Sequence, residues 1–152
     1  MKKYLDWHNK KSGEFLGTLL FTLCFLFLFT TLAFAANYVK PEEFKKWLET
    51  GKKMVIVDIQ PAEDFEEHHF KGSIETNAFP AKTDEEKKRL DKVIHQIMSS
   101  KDDVVIICPR GRSGAMNTYE YLKSKGIPEN RLYILEGGIA DWPYKEMFIK
   151  GR

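Results

Sequence analysis

Cysteine is scarce in this chain. Of 152 residues, only Cys24 and Cys108 carry a thiol. Cys24 lies inside an apolar N-terminal run, so Cys108 has no intramolecular disulfide partner in the rest of the chain, and a disulfide framework is excluded. Net charge is scarce as well. The formal balance is +2 at pH 7, and the excess sits in residues 1–35, where Lys2, Lys3, Lys10 and Lys11 stand against Asp6 and Glu14. Residues 36–152 are therefore neutral, which argues against a general nucleic-acid binder, since such a protein needs a basic face to neutralise phosphates. The adjacent pair His68-His69 has no Cys, Asp or Glu spacing nearby to complete a metal site, and neighbouring residues rarely converge on one ion. They read as solvated or structural histidines. Internal repeats and low-complexity stretches are also missing. What the chain does have is 43% hydrophobic and 30% charged residues, a balance typical of globular proteins.

The first 35 residues read as a targeting segment and residues 36–152 as one domain. Four lysines form a positive opening. From Phe15 to Val39 there is no charged side chain, and Phe15 to Ala36 is almost wholly apolar. Ala33-Phe34-Ala35 offers small residues where a signal peptidase reads, with Ala36 next. A cleaved signal peptide is the first reading. The run exceeds the ~18 residues at which a membrane span becomes plausible, so an uncleaved anchor is the alternative. Both readings place the domain outside the cytoplasm, exported, periplasmic or otherwise extracytoplasmic. Leu23 is too large for a lipid-attachment signal, which leaves Cys24 as membrane filler.

The remainder alternates helices with short apolar runs. Val39-Lys-Pro41 opens a helix through about Thr50, with Phe44, Trp47 and Leu48 inward and Gly51 at its end. Val55-Ile-Val57 is a short strand ending at Asp58. Pro61 and the acidic stretch Glu63 to Glu67 begin a short helix with a solvated face. A short strand is expected near Ile74. Thr83 and Glu86 form a capping box, followed by one helix with Leu90, Val93, Ile94, Ile97 and Met98 inward. Val104-Val-Ile-Ile107 is a second buried strand. Gly114 to Lys125 is a helix with Ala115, Met116, Tyr119 and Leu122 inward, and Leu132-Tyr-Ile-Leu135 is a third strand. The fold class is α/β: a central, mostly parallel sheet with helices on both faces, preceded by an apolar N-terminal helix.

Ligands of open α/β sheets bind beyond the carboxyl ends of the strands. Asp58 to Pro61, Cys108 to Ser113 and Glu136 to Gly138 reach that edge. The chemistry concentrates in Cys108-Pro-Arg-Gly-Arg-Ser113, which joins a strand to a helix N-terminus. Unpaired backbone N–H groups, the helix dipole, Arg110 and Arg112 each favour a thiolate over a thiol. Gly111 and Gly114 let the backbone curl around one sulfur atom. The same nest, with Arg110, Gly111, Arg112, Ser113 and Gly114 as its binding groups, would hold an anion beside the sulfur. The alternative reading of Cys108 is an ordinary buried, inert cysteine. Its place after the strand, the arginines and glycines that follow, and its isolation weigh against that.

These residues resemble the single-domain rhodaneses over about Val39 to Trp142. The resemblance is carried by Val39-Lys-Pro-Glu-Glu-Phe44, Val57-Asp58, Asp64-Phe65, His69-Phe70-Lys71-Gly72-Ser73-Ile74, Cys108 with Gly111, and Glu136-Gly137-Gly138-Ile139 with Trp142. It implies a rhodanese-like fold and sulfur transfer. Cys108 would take a sulfur from thiosulfate or a similar anionic donor as a persulfide and hand it to cyanide or a thiol. No cofactor or metal is implied. Asp58 and His69 match positions that fix the fold. The chain departs from the pattern in three places: Gln60 where Arg is common, His68 where Gly is frequent, and an Arg112-Ser113 pair one residue early. Two rivals remain. A persulfide carrier or redox or sulfur sensor would load sulfur without rapid turnover. A phosphatase or arsenate reductase of related architecture would want an arginine six residues after the cysteine, where this chain has Gly114.

Overall fold

The computed structural model describes residues 36–152, which form one compact unit. The targeting segment and its apolar helix lie outside the described residues. In chain order the elements are β1 (Tyr38–Val39), α1 (Pro41–Glu49), β2 (Met54–Asp58), α2 (Ala62–Glu67), β3 (His69–Phe70), β4 (Ser73–Glu75), α3 (Asp84–Lys88), α4 (Asp91–Ser99), β5 (Asp103–Ile107), α5 (Ser113–Ser124), β6 (Leu132–Leu135) and β7 (Phe148–Ile149).

Five strands form one sheet in the order β1-β6-β5-β2-β4, and every pairing in it is parallel. β3 and β7 form a separate antiparallel pair, with Phe70 opposite Phe148. Parallel strands need covered faces, and the apolar runs supply both at once because successive side chains point to opposite sides. Val55, Val57, Val104, Ile106, Leu132 and Ile134 meet Val93 and Ile97 of α4 and Ala115, Tyr119 and Leu122 of α5. Ile56, Val105, Ile107 and Leu135 meet Phe44 of α1, Phe70, Ile139 and Trp142 on the other side. Burying each aliphatic side chain contributes roughly 1.5–3 kcal/mol, so the three central strands anchor both layers.

Several sequence expectations shift. Val39 does not open α1. It belongs to β1, paired with Leu135, and the helix begins at Pro41, a residue suited to a first turn because its missing N–H costs nothing there. The capping box of Thr83 and Glu86 forms, but it caps only α3. The chain turns at Arg89 and Leu90 and restarts as α4, so the expected single helix is two. Leu90, just before α4, and Val93 and Ile97 within it line the core, Ile94 is half-buried, and Met98 is 60% exposed. Among the described residues no helix is long and apolar enough to cross a membrane.

Candidate active site

Cys108 is the residue immediately after β5, where the carboxyl ends of β2, β5 and β6 converge. Asp58 lies opposite Ile107 in the register, and Ile59 N–H donates to the Ile107 carbonyl at 2.9 Å. The chain then leaves the sheet and reaches α5 within five residues. That short path requires a left-handed turn at Gly111, whose φ is +59°. The turn brings Gly111 N–H to 3.0 Å from the Cys108 sulfur. The sulfur atom thus accepts a backbone hydrogen bond while the whole residue is 1% exposed.

The Glu136–Gly138 turn holds this loop from below. Ile139 N–H donates to the Cys108 carbonyl at 3.1 Å, and Ala140 N–H to the Pro109 carbonyl at 2.9 Å. Gly138 lies so close to the loop that a Cβ there would overlap the Cys108 carbonyl and stand 2.8 Å from Arg110 N. A Cβ on Gly111 would stand 2.6 Å from the Leu135 carbonyl oxygen. Two glycine backbones therefore pack against each other where no side chain fits, and the sulfur's position is set by main chain on both sides.

On its open side Cys108 faces a pocket of about 330 Å³. Arg110, Arg112, Ser113 and Gly114 line it, with Pro109, Pro61, Asp64 and Phe79. Both arginines are exposed, and neither is ion-paired among the described residues. α5 has no acidic residue in its first turn, so the positive end of its dipole meets no protein carboxylate on the helix itself. Among the described residues no backbone or side-chain acceptor takes the N–H of Arg110, Arg112, Ser113 or Gly114. A nucleophilic sulfur, free N–H groups and two cations in one concavity suit attack on an anionic substrate.

The structure brings together Cys108, Arg110, Arg112, Ser113 and Gly114 around this pocket. Gly111 lies beneath it, under the sulfur. Gly114 has a role different from the expected one. It makes no left-handed turn. Instead it leaves room for the ring of Phe79, whose Cδ2 and Cε2 would stand 2.9 Å from a Cβ at that position. Asp64 interrupts the solvated face expected for α2, because it turns toward the pocket. Phe79 was not legible as a site residue. The available signal was an aromatic residue set between Ala78 and Pro80 in a connecting stretch.

Asp58 and His69 do not line the pocket. His69 is buried, its ring stacked on Phe65 with centroids 3.9 Å apart, and its Nδ1 lies 2.8 Å from the Phe65 carbonyl. A carbonyl only accepts, so Nδ1 carries the proton. Asp58 is fully buried. Its carboxylate accepts the Gln60 backbone N–H at 2.9 Å and the Gln60 amide at 3.1 Å. Burial pushes its pKa up to about 7, and the Gln60 hydrogen bonds offset only part of that rise. A larger open depression of about 600 Å³ is lined by His68, Ile139, Ala140, Lys145 and Lys150 among others, and no cysteine, serine or threonine lines it. Among the described residues no group of three His, Cys, Asp or Glu side chains is placed to hold a metal ion.

Comparison with known proteins places this geometry. The rhodanese-like domain family matches residues 40–145. No curated protein sequence matches significantly. Among solved structures the chain is similar to Saccharomyces cerevisiae Ygr203w, described as a homolog of single-domain rhodanese and the Cdc25 phosphatase catalytic domain. That match has 22% identity over 70% of this chain and 78% of that one, with a TM-score of 0.54. It is similar to an As-Sb reductase from Leishmania major at 19% identity, covering 75% and 85% of the two chains, with a TM-score of 0.57. It is also similar to a thiosulfate sulfurtransferase from Pseudomonas aeruginosa at 15% identity, covering 77% of this chain and 20% of that one, with a TM-score of 0.56. At these identities the likeness is one of fold, and the fold carries three differently named activities.

Proposed function

The chain belongs to the rhodanese-like domain family, and from that membership we propose that it is a sulfurtransferase working through a persulfide on Cys108. One observation carries the reading: a sulfur atom on the floor of a pocket with two arginines that make no ion pair among the described residues, accepting Gly111 N–H at 3.0 Å. The Cys108 thiolate attacks the outer sulfur of thiosulfate or a similar donor. A new S–S bond forms at Cys108, the donor's S–S bond breaks, and sulfite leaves with the electron pair. An acceptor, cyanide or a thiolate, then attacks the terminal sulfur and frees the Cys108 thiolate, leaving thiocyanate or an acceptor persulfide. The free N–H groups around the loop stabilise the persulfide, and Arg110 and Arg112 hold the anionic donor.

The loop supports sulfur rather than oxyanion transfer. Its arginines fall two and four residues after Cys108, and Gly114 at the sixth position is occupied in seating Phe79. An exported location belongs to the same reading and rests on the N-terminal sequence alone. One mass spectrum tests both. After incubation with thiosulfate, the exported protein is expected to begin at Ala36 or to retain its anchor. Cys108 is expected to gain the mass of one sulfur atom, and Cys108→Ser to gain none while keeping a native far-ultraviolet circular dichroism spectrum. An unmodified Cys108, or turnover of an aryl phosphate dependent on it, overturns the proposal. A persulfide that cyanide and thiols fail to discharge identifies a carrier instead of an enzyme.

A further inference from the structure

Phe79 is a large apolar side chain left 38% exposed at the mouth of the pocket. The backbone around it is fixed. Phe79 N–H donates to the Ile59 carbonyl at 2.8 Å, at the end of β2. The Asn117 amide of α5 donates to the Pro80 carbonyl at 3.0 Å. Arg89 donates to the Asn77 carbonyl at 2.6 Å. On either side Asn77 and Ala81 adopt left-handed backbone, with φ of 51° and 56°, a conformation that is costly for residues other than glycine and concentrates at functional sites. Ala78 and Ala81 are fully buried, so the segment is anchored by its small residues while its one large residue faces solvent. The ring lies over Gly114, within reach of the loop that carries Cys108.

The lining of this pocket combines apolar and charged surface. Phe79, Pro61 and Pro109 form one kind of surface. Arg110 and Arg112 form the other, with Asp64 the single carboxylate. A volume of about 330 Å³ falls within the range that holds whole organic ligands, far beyond what cyanide needs. Cys108 is 1% exposed and lines this space. A cysteine in a folded partner carries its sulfur one bond beyond Cβ and would have to bring its backbone into the pocket. A free thiol on a flexible chain meets no such obstacle.

We propose that Phe79 is the specificity-determining wall of the pocket, and that it selects a small organic thiol acceptor carrying an apolar segment between its sulfur and an anionic group. The acceptor's identity rests on the sulfurtransferase reading. The wall itself does not, and the test separates them. Sulfur-loaded full-length protein is discharged with mercaptoacetate or with mercaptohexanoate, which share a primary thiol and a carboxylate and differ by a run of methylenes. Wild type is expected to prefer the longer thiol in kcat/KM by about tenfold, the effect of bringing one or two methylenes out of water. Phe79→Ala is expected to lose that preference, and Phe79→Leu, which keeps an apolar wall, to retain most of it. In parallel, acetate and hexanoate, which cannot react, are titrated into unloaded protein and followed by nuclear magnetic resonance. Hexanoate is expected to bind more tightly, and about tenfold less so in Phe79→Ala. If hexanoate binds through Phe79 but no persulfide forms, the sulfur reading fails and the wall stands. If the persulfide forms and neither ratio changes in Phe79→Ala, or if neither carboxylate binds better to wild type, the wall is overturned.

Discussion

Two demands meet at Gly111. Its backbone must turn left-handed to point the N–H at the Cys108 sulfur, and its Cα must lie against the Leu135 carbonyl. A methyl group violates both. The backbone strain alone costs roughly 1–3 kcal/mol, and a Cβ at 2.6 Å from the Leu135 oxygen forces the loop to move. Gly126 separates the two effects. It is also left-handed, with φ of +90°, but a Cβ there meets nothing within 4 Å. Gly126→Ala is expected to lower thermal stability by that backbone cost alone and to leave sulfur loading of Cys108 intact. Gly111→Ala is expected to lose more stability and to slow loading by at least tenfold, because the displaced N–H no longer stabilises the sulfur anion. Thermal melts together with a timed mass spectrum decide it. Equal loading in the two variants would show that the Gly111 N–H has no part in the chemistry. The importance of Gly111 was legible from its place in the loop. The reason Gly114 is small was not, because its neighbour Phe79 is distant in sequence and arrives only with the tertiary fold.

Among the elements, β2 carries an electrostatic burden that its sequence only hints at. Asp58 ends the strand, fully buried, with an amide from Gln60 beside it and, among the described residues, no cation in hydrogen-bond contact. An exposed aspartate titrates near 4. In the fold this one is pushed up to about 7, by burial first and then by the nearby charges of Glu75 and Asp64, against the opposing Gln60 hydrogen bonds. The folded chain therefore holds the proton more tightly than the unfolded chain. Stability from this group is fully present below pH 4, declines as pH rises toward 7, and is level above that. The span corresponds to roughly 4 kcal/mol at most. Asp58→Asn cannot titrate, so its urea midpoint is expected to stay flat between pH 5 and 8 relative to wild type, whose midpoint falls. Parallel curves for the two proteins would mean that Asp58 is ionised throughout. The three central strands were readable because a doubly covered parallel strand is a plain apolar run. β1, β3 and β7 were not, because each is two residues long and is defined by its partner rather than by its own pattern. The break between α3 and α4 escaped for a related reason. The helical stripe continues across it, while Arg89 turns away to the Asn77 carbonyl.

Taken whole, residues 36–152 have two apolar layers that share one sheet. The layer on the α1 side is aromatic: Phe44, fully buried, meets Phe70 edge-on at 5.1 Å and Trp142 at 5.7 Å. None of the three lines the Cys108 pocket. Both layers nevertheless rest on alternate residues of the same strands, and Ile139, which belongs to the aromatic layer, donates its N–H to the Cys108 carbonyl. Loosening one layer must therefore loosen the other, and the domain is expected to unfold as a single cooperative unit. Phe44→Ala tests this at a distance from the chemistry. Removing the ring is expected to cost about 3–5 kcal/mol and to lower the melting temperature by roughly 10 °C or more. Tryptophan fluorescence, which reports on Trp47 and Trp142 of the aromatic layer, and far-ultraviolet circular dichroism, which reports on the sheet and helices, are expected to move together. At low temperature, where the variant remains folded, sulfur loading of Cys108 per molecule is expected to match wild type. If fluorescence melts well before the circular dichroism signal, the aromatic layer is a separate unit, and the support that Ile139 gives the active loop does not depend on it.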